Sequence, residues 1–275
     1  MKLSRVWTIL RFTFRESLRA KWLWIFAVVY FLAAIDIPML FLLALHLLPS
    51  RYLDSFLGNL VALTFPFIPL LSLPLGSASI VEEKEAGTLQ YLFSNPISKM
   101  EFFLGRTLGL LISTSAVIIL GYGFASIVAF NFRVAGYPTI GGLMLTAAGL
   151  NVVMLAVALI ISSAVKRKTT AVGIALGVWF AFTSLSISDI AMSTLVQVLP
   201  GQISMLPVVL NPVEALQVLA GIQLGGSAVQ LGALGLIVVG NLGDKTVETL
   251  SISAALWIAI PVMIGFFVFS RKDLT

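Results

Sequence analysis

The sequence has no cysteine, a single histidine and few charges, with only 11% of its 275 residues being Asp, Glu, Lys or Arg. Without cysteine no disulfide can form, and one histidine, His46, cannot build a metal site by itself. Scarce charge beside 59% hydrophobic residues excludes an ordinary soluble domain and points to an integral membrane protein. The eight methionines are scattered and give no copper-ligand cluster. No Ser/His/Asp set, zinc-ligand spacing or paired-carboxylate site stands out. The nearest approach to a phosphate loop is VGNLGDKT, residues 239–246, which carries Val239 and Asp244 where such a loop needs glycine. A carboxylate at that place repels phosphate, so nucleotide chemistry is expected elsewhere and the chain is not expected to act as an enzyme. It is expected to hold no cofactor of its own.

What the sequence does have is long apolar runs. A bilayer core about 30 Å thick needs roughly 20 apolar residues per spanning helix, and residues 22–48, 56–81, 107–130, 142–165, 169–187 and 250–269 meet that length. These runs are apolar on every side rather than alternating, which rejects a β-barrel. The expected fold is an all-α integral membrane protein, a six-span helical bundle forming a single domain over residues 1–275. Of the 17 basic residues, 14 fall on one side of that scheme, leaving Arg51, Arg133 and Lys245 on the other. The positive-inside rule then puts both termini, the polar stretch near residue 90 and the Lys166-Arg167-Lys168 run in the cytoplasm. The basic start is not read as a cleaved signal, because its apolar run of about 27 residues exceeds the usual 7–15.

Residues 1–21 read as an amphipathic helix lying in the cytoplasmic interface. Leu3, Trp7, Leu10, Phe14 and Leu18 recur at helical spacing, and Arg5, Arg11, Arg15 and Arg19 gather on another face. Residues 188–249 read as an extracytoplasmic, partly embedded helical lobe between spans five and six. A seventh span over residues 215–240 is the alternative, but it would carry Arg271 and Lys272 outside, against the charge rule.

The polar island VEEKEAGTLQYLFSNPISKMEFF, residues 81–103, interrupts this apolar chain. After Glu82, Glu83 and Glu85, the residues Ala86, Leu89, Leu92 and Phe93 form an apolar stripe at helical spacing, and Asn95-Pro96 disfavours helix at residue 95. Ser98 and Glu101 then have capping-box spacing, with Ile97 and Phe102 placed as a hydrophobic staple. Residues 82–106 are therefore expected to form a short helix, a tight elbow and a second helix that runs into the third span. An acidic lever joined directly to the membrane suits docking to a partner, a solvated loop being the alternative.

On these residues the chain resembles the permeases of type-2 ABC exporters, in which acidic residues precede Gly-Thr-Leu, then a Leu, then Ser-x-Pro. EEKEAGTLQYLFSNPIS carries that pattern, and six spans, an N-terminal interfacial helix and an external lobe extend it over the chain. NPVEAL at residues 211–216, the terminal FSRKDL and the long lobe resemble the permeases grouped with multicopper-enzyme maturation, as in nitrous oxide reductase assembly. The resemblance implies two permease copies in the cell inner membrane, paired with two separate ABC ATPase subunits that bind ATP and Mg. It also implies a coupling helix that uses Glu82, Glu83, Glu85, Gly87, Thr88, Leu89, Leu92 and Pro96, and a periplasmic accessory protein that could meet the lobe. Contacts are expected with lipid and protein, not nucleic acid.

Other residues invite a role without fixing it. Asp36, a carboxylate within the first span, either lines a translocation path or reaches water near the outer interface past a kink at Pro38. Pro66, Pro69 and Pro74 suggest a kinked second span, and Gly173 with Gly177 suits close helix contact inside one subunit or across a dimer. In the lobe, Asn211 would cap a helix that begins at Pro212 and carries Glu214 in its first turn. The apolar positions Leu216, Leu219 and Ala220 share a face, open either to a partner or to the lobe's own core. The functional expectation is an energy-coupled permease, in copper-enzyme maturation moving a sulfur-containing or other small species or transmitting force. Export of drugs, lipids or peptides is the alternative, followed by a non-transporting anchor for soluble partners.

Overall fold

A computed structural model describes residues 2–44, 52–131, 137–187, 204–226 and 228–271. Helices follow one another as α1 (Leu3–Arg19), α2 (Lys21–Ala44), α3 (Tyr52–Glu85), α4 (Thr88–Ser94), α5 (Lys99–Asn131), α6 (Tyr137–Ala164) and α7 (Lys168–Ile187). Then come α8 (Leu206–Val209), α9 (Pro212–Gln223), α10 (Ala228–Leu242), a 3-10 turn (Gly243–Lys245) and α11 (Thr246–Arg271). No strand occurs among the described residues, in agreement with the all-α expectation.

Four helical runs among the described residues are long and apolar enough to cross a membrane: Leu60–Glu85, Lys99–Phe124, Thr139–Ala164 and Leu231–Arg271. Lys21–Leu32 is a shorter apolar helix. The last run exceeds one crossing and is interrupted at Gly243, whose φ is 54°. With 34 residues in α3 and 33 in α5, and a rise of about 1.5 Å per residue, both outreach a core about 30 Å thick. At one end of the bundle they project and are joined by α4; this is the elbow end.

Helix α6 is central. Leu143, Ala147, Leu150, Val153, Met154 and Ala158 are buried in the principal core with Phe65, Ile68 and Leu73 of α3. Burying polar groups in such a core requires partners, and Asn151 finds them on two neighbouring helices. Its Oδ1 accepts from Ser72 Oγ at 2.6 Å, and its Nδ2 donates to Thr114 and Ser115 Oγ atoms at 2.9 and 3.0 Å. The three prolines of α3 lie inside the helix without ending it.

The lobe is sunk into the bundle. Asn211 caps α9 as its sequence predicts, accepting from Val213 N–H at 3.0 Å, with Pro212 in the first turn. Its Nδ2 donates to the Phe182 carbonyl at 2.8 Å, which anchors the cap to α7. Gln223 at the other end of α9 donates from Nε2 to Thr146 Oγ1 of α6 at 3.1 Å. Neither α9 nor α10 is long enough for a crossing, since they hold 12 and 15 residues and Gly225, Gly226 and Gly232 take positive φ values.

Candidate functional site

The elbow begins where α3 stops. Gly87 has φ 70° and ψ 2°, and a Cβ built on it meets nothing within 4 Å. The position therefore favours glycine for its left-handed backbone and not for close approach. Helix α4 follows for seven residues and ends at Asn95, whose extended backbone is what the next proline demands. Ile97 N–H donates to the Asn95 carbonyl at 2.6 Å, closing a three-residue turn around Pro96. The capping box then forms in full: Glu101 N–H donates to Ser98 Oγ at 3.1 Å, and Ser98 N–H donates to Glu101 Oε2 at 3.0 Å. Glu101 also accepts from the Lys2 N–H at 2.6 Å, so the start of α1 is pinned to the start of α5.

The inner face of α4 is apolar and seated. Leu89 is buried in a cluster that also holds Ile9 of α1, Ile80 of α3, Phe102 and Phe103 of α5, Leu155 and Leu159 of α6 and Phe269 of α11, and Leu92 and Phe93 pack against that cluster. Rings continue the contact, with Phe93–Phe102 centroids at 5.7 Å, Phe102–Phe269 at 5.8 Å and Phe103–Phe266 at 5.7 Å. The outer face exposes Thr88, Gln90, Tyr91, Ser94 and Pro96, with Tyr91 76% exposed. It carries no charge.

The acidic cluster faces the chain's own cations. Glu82 pairs with Lys168 Nζ at 2.9 Å, Glu85 Oε2 accepts from Lys168 N–H at 2.9 Å at the start of α7, and Glu83 lies 3.5 Å from Arg106 and accepts from Thr88 Oγ1. Lysines serve helix ends in turn. Lys84 Nζ donates to the Ser162 and Ser163 carbonyls at the end of α6, and Lys99 Nζ to the Ser270 carbonyl at the end of α11. The three carboxylates thus fix the elbow to α5 and α7.

Arg106 is the residue that sequence reasoning missed. It is 2% exposed, and its guanidinium donates to both Glu16 carboxylate oxygens at 2.6 and 3.4 Å and to the Ser79 carbonyl at 2.8 Å. One side chain thereby joins α1, α3 and α5. The available signal was an arginine inside an otherwise apolar helix; its partners, far apart in sequence, were not readable.

Helix α1 meets α5 closely. A Cβ on Gly105 would lie 2.7 Å from Ile9 Cβ, and one on Gly109 would lie 2.8 Å from the Leu10 carbonyl. The face turned to α5 is Val6, Ile9, Thr13 and Ser17, while Leu3, Trp7 and Phe12 are exposed. The glycine pair singled out in the sequence differs, for a Cβ on Gly173 or Gly177 meets nothing within 4 Å. Close contact there within the subunit is thereby corrected.

The proposed docking face of the lobe is occupied. Asn211, Pro212, Glu214, Leu216 and Ala220 are buried and Leu219 packs partly buried against the core, so the face is taken up by the chain itself. Helix α9 needed that cover because both its sides are apolar. Asp36 falls in α2, but its side chain lies outside the described residues, as do residues 188–203 of the expected lobe.

Residues 7–274 match the sequence profile of the ABC-2 family transporter protein. The chain is 27% identical, over 282 aligned positions, to a protein of Stutzerimonas stutzeri named as a probable ABC transporter permease protein NosY, with 98% of this chain and 99% of that protein covered. A protein of the same name from Pseudomonas aeruginosa is 28% identical over 279 positions, with the same coverage of both chains.

Proposed function

Because the chain belongs to the ABC-2 transporter family, we propose that it is the membrane-spanning permease subunit through which a separate ATPase drives transport or force across the bilayer. Two permease copies pair with two ATPase subunits, and both termini lie in the cytoplasm with the elbow. The observation that supports this reading best is the build of α4: a neutral exposed face over an apolar face seated on a core cluster to which five other helices contribute. An ATPase that grips Gln90, Tyr91 and Ser94 moves the rings of Phe93, Phe102 and Phe269 with it. Motion then passes to α5 and α11, because a packed core responds to a shift by moving as a body. A passive anchor has no use for such a seat.

Copper-enzyme maturation is the setting that the sequence resemblance supports, with the cargo a sulfur-containing or other small species. Drug, lipid or peptide export is the second reading. The absence of cysteine makes the docking claim directly testable. Tyr91→Cys in the native chain, co-expressed with its partner ATPase, is expected to crosslink to that ATPase through a short bifunctional reagent. Crosslinking from Leu145→Cys, at an exposed position on α6 well away from the elbow, but not from position 91, overturns the docking face.

A further inference from the structure

Helix α1 sorts its side chains onto three faces. Val6, Ile9, Thr13 and Ser17 are buried against the bundle, where Gly105 and Gly109 let α5 approach. Leu3 and Trp7 are exposed, and the half-buried Leu10, Phe14 and Leu18 continue their apolar stripe at helical spacing. The third face is basic: Arg11, Arg15 and Arg19 are exposed, and the exposed Lys21 follows at the start of α2. Set four residues apart, the arginines make a row about 12 Å long that begins about 40° round the helix from Trp7.

These four cations have no carboxylate partner among the described residues. The acids of this region are paired elsewhere: Glu16 and Glu83 with Arg106, Glu101 with Arg5, and Glu82 with Lys168. Glu16, the single acid of α1, is turned away from the row, its carboxylate 2.6 Å from Arg106. A solvated surface helix mixes both signs, so that pairs form along it. Here the acid is taken up against the bundle, and the row outside is wholly positive.

The neighbourhood of the two outer faces selects the occupant. An apolar stripe beside a row of cations is the build of a helix lying in the membrane interface, one face among acyl chains and the other among headgroups. An acidic soluble protein would complement the cations and leave Leu3 and Trp7 in water. A zwitterionic headgroup brings the cations no net charge. A phospholipid with net negative charge meets both faces.

The geometry points to a binding surface for anionic glycerophospholipids along α1, in the leaflet that holds it. Arg11, Arg15, Arg19 and Lys21 donate to headgroup phosphate oxygens, while Leu3 and Trp7 sit among the first carbons of the acyl chains. The lipids hold a helix whose inner side is tied to the elbow, since Lys2 N–H donates to Glu101 and Glu16 accepts from Arg106. Anionic lipid therefore steadies α1 on the start of α5. The surface rests on the chain's membrane character, and stands whether or not α4 docks an ATPase.

The test uses the full-length protein in nanodiscs of equal parts phosphatidylglycerol and phosphatidylcholine, released into lipid-free detergent for native mass spectrometry of the retained lipids. Wild type is expected to keep phosphatidylglycerol in preference. Arg15→Gln lowers the ratio of the two lipids about fivefold, the effect of one cation at an anionic surface. Arg11→Gln, Arg15→Gln and Arg19→Gln together lower it about tenfold or more. Arg11→Lys, Arg15→Lys and Arg19→Lys together preserve it, because the attraction is to charge. Lys166→Gln with Arg167→Gln, which removes two exposed cations from the turn between α6 and α7, preserves it as well. Amide exchange in α1 is slower in phosphatidylglycerol than in phosphatidylcholine nanodiscs for wild type, and the same in both for the triple glutamine variant. Equal retention of the two lipids by wild type overturns the lipid as occupant, in favour of an acidic protein. An unchanged ratio in the triple glutamine variant, or an equal fall on removing Lys166 and Arg167, overturns the site.

Discussion

Gly87 and Arg106 carry the elbow at the scale of single residues, for different reasons. At Gly87 the constraint is backbone, since the space around it is open and the φ is 70°. Valine there costs about 1–2 kcal/mol, and asparagine less, because it visits the left-handed region several times more often than most residues. Amide exchange across α4 is therefore expected to be faster in Gly87→Val and close to wild type in Gly87→Asn; equal exchange in both variants contradicts a backbone cause. At Arg106 the constraint is charge. Its side chain is 3% exposed, facing Glu83 at 13% and Glu16 at 41%. Arg106→Met strands a poorly hydrated Glu83 and is expected to destabilise by about 3–5 kcal/mol, as breaking a buried pair does. Glu16→Gln removes a half-exposed partner and is expected to cost about 1 kcal/mol or less. Denaturant melts of the detergent-purified variants order the two. Substituting lysine for Glu82, Glu83 and Glu85 together breaks contacts with Lys168 and Arg106 before it touches any partner, so a charge swap at Lys168 is its necessary control.

At the scale of elements, α1 crosses α5 closely at Gly105 and Gly109. Leucine at Gly109 would drive its Cβ toward the Leu10 carbonyl, a backbone atom that cannot step aside, and overpacking of this kind costs about 1–3 kcal/mol. Gly109→Leu is expected to lower the melting temperature of the isolated chain, whereas Gly177→Leu leaves it unchanged and shows itself only where a second copy packs on α7. The reverse pattern contradicts the crossing. How legible each element was depended on how local its causes are. The end of α4 and the start of α5 were readable because Asn95-Pro96 and the Ser98–Glu101 box act within a few residues of themselves. The cap of α9 at Asn211 was readable for the same reason. The packing face of α1 was not. The strong apolar stripe of Leu3, Trp7 and Leu10 drew attention, yet the side that meets protein is Val6, Ile9, Thr13 and Ser17, made close by glycines about a hundred residues later in the chain. Likewise the burial of Leu216 and Ala220 follows from where α6 stands, which no local pattern in NPVEAL records.

At the scale of the molecule, α4 is a short helix whose apolar face joins a core cluster with residues from both ends of the chain: Ile9 near the start and Phe269 near the finish. That arrangement is the basis for treating the elbow as the coupling element of the permease. The most direct test is ATP hydrolysis by the reconstituted complex of permease and ATPase carrying Leu89→Ala. Leu89 is 2% exposed and turned inward, so the substitution loosens the seat of α4 without altering its outer face. The variant is expected still to co-purify with the ATPase but no longer to change its hydrolysis rate as wild type does. Unchanged coupling with a loosened seat, shown by faster amide exchange in α4, would contradict the coupling role of the elbow.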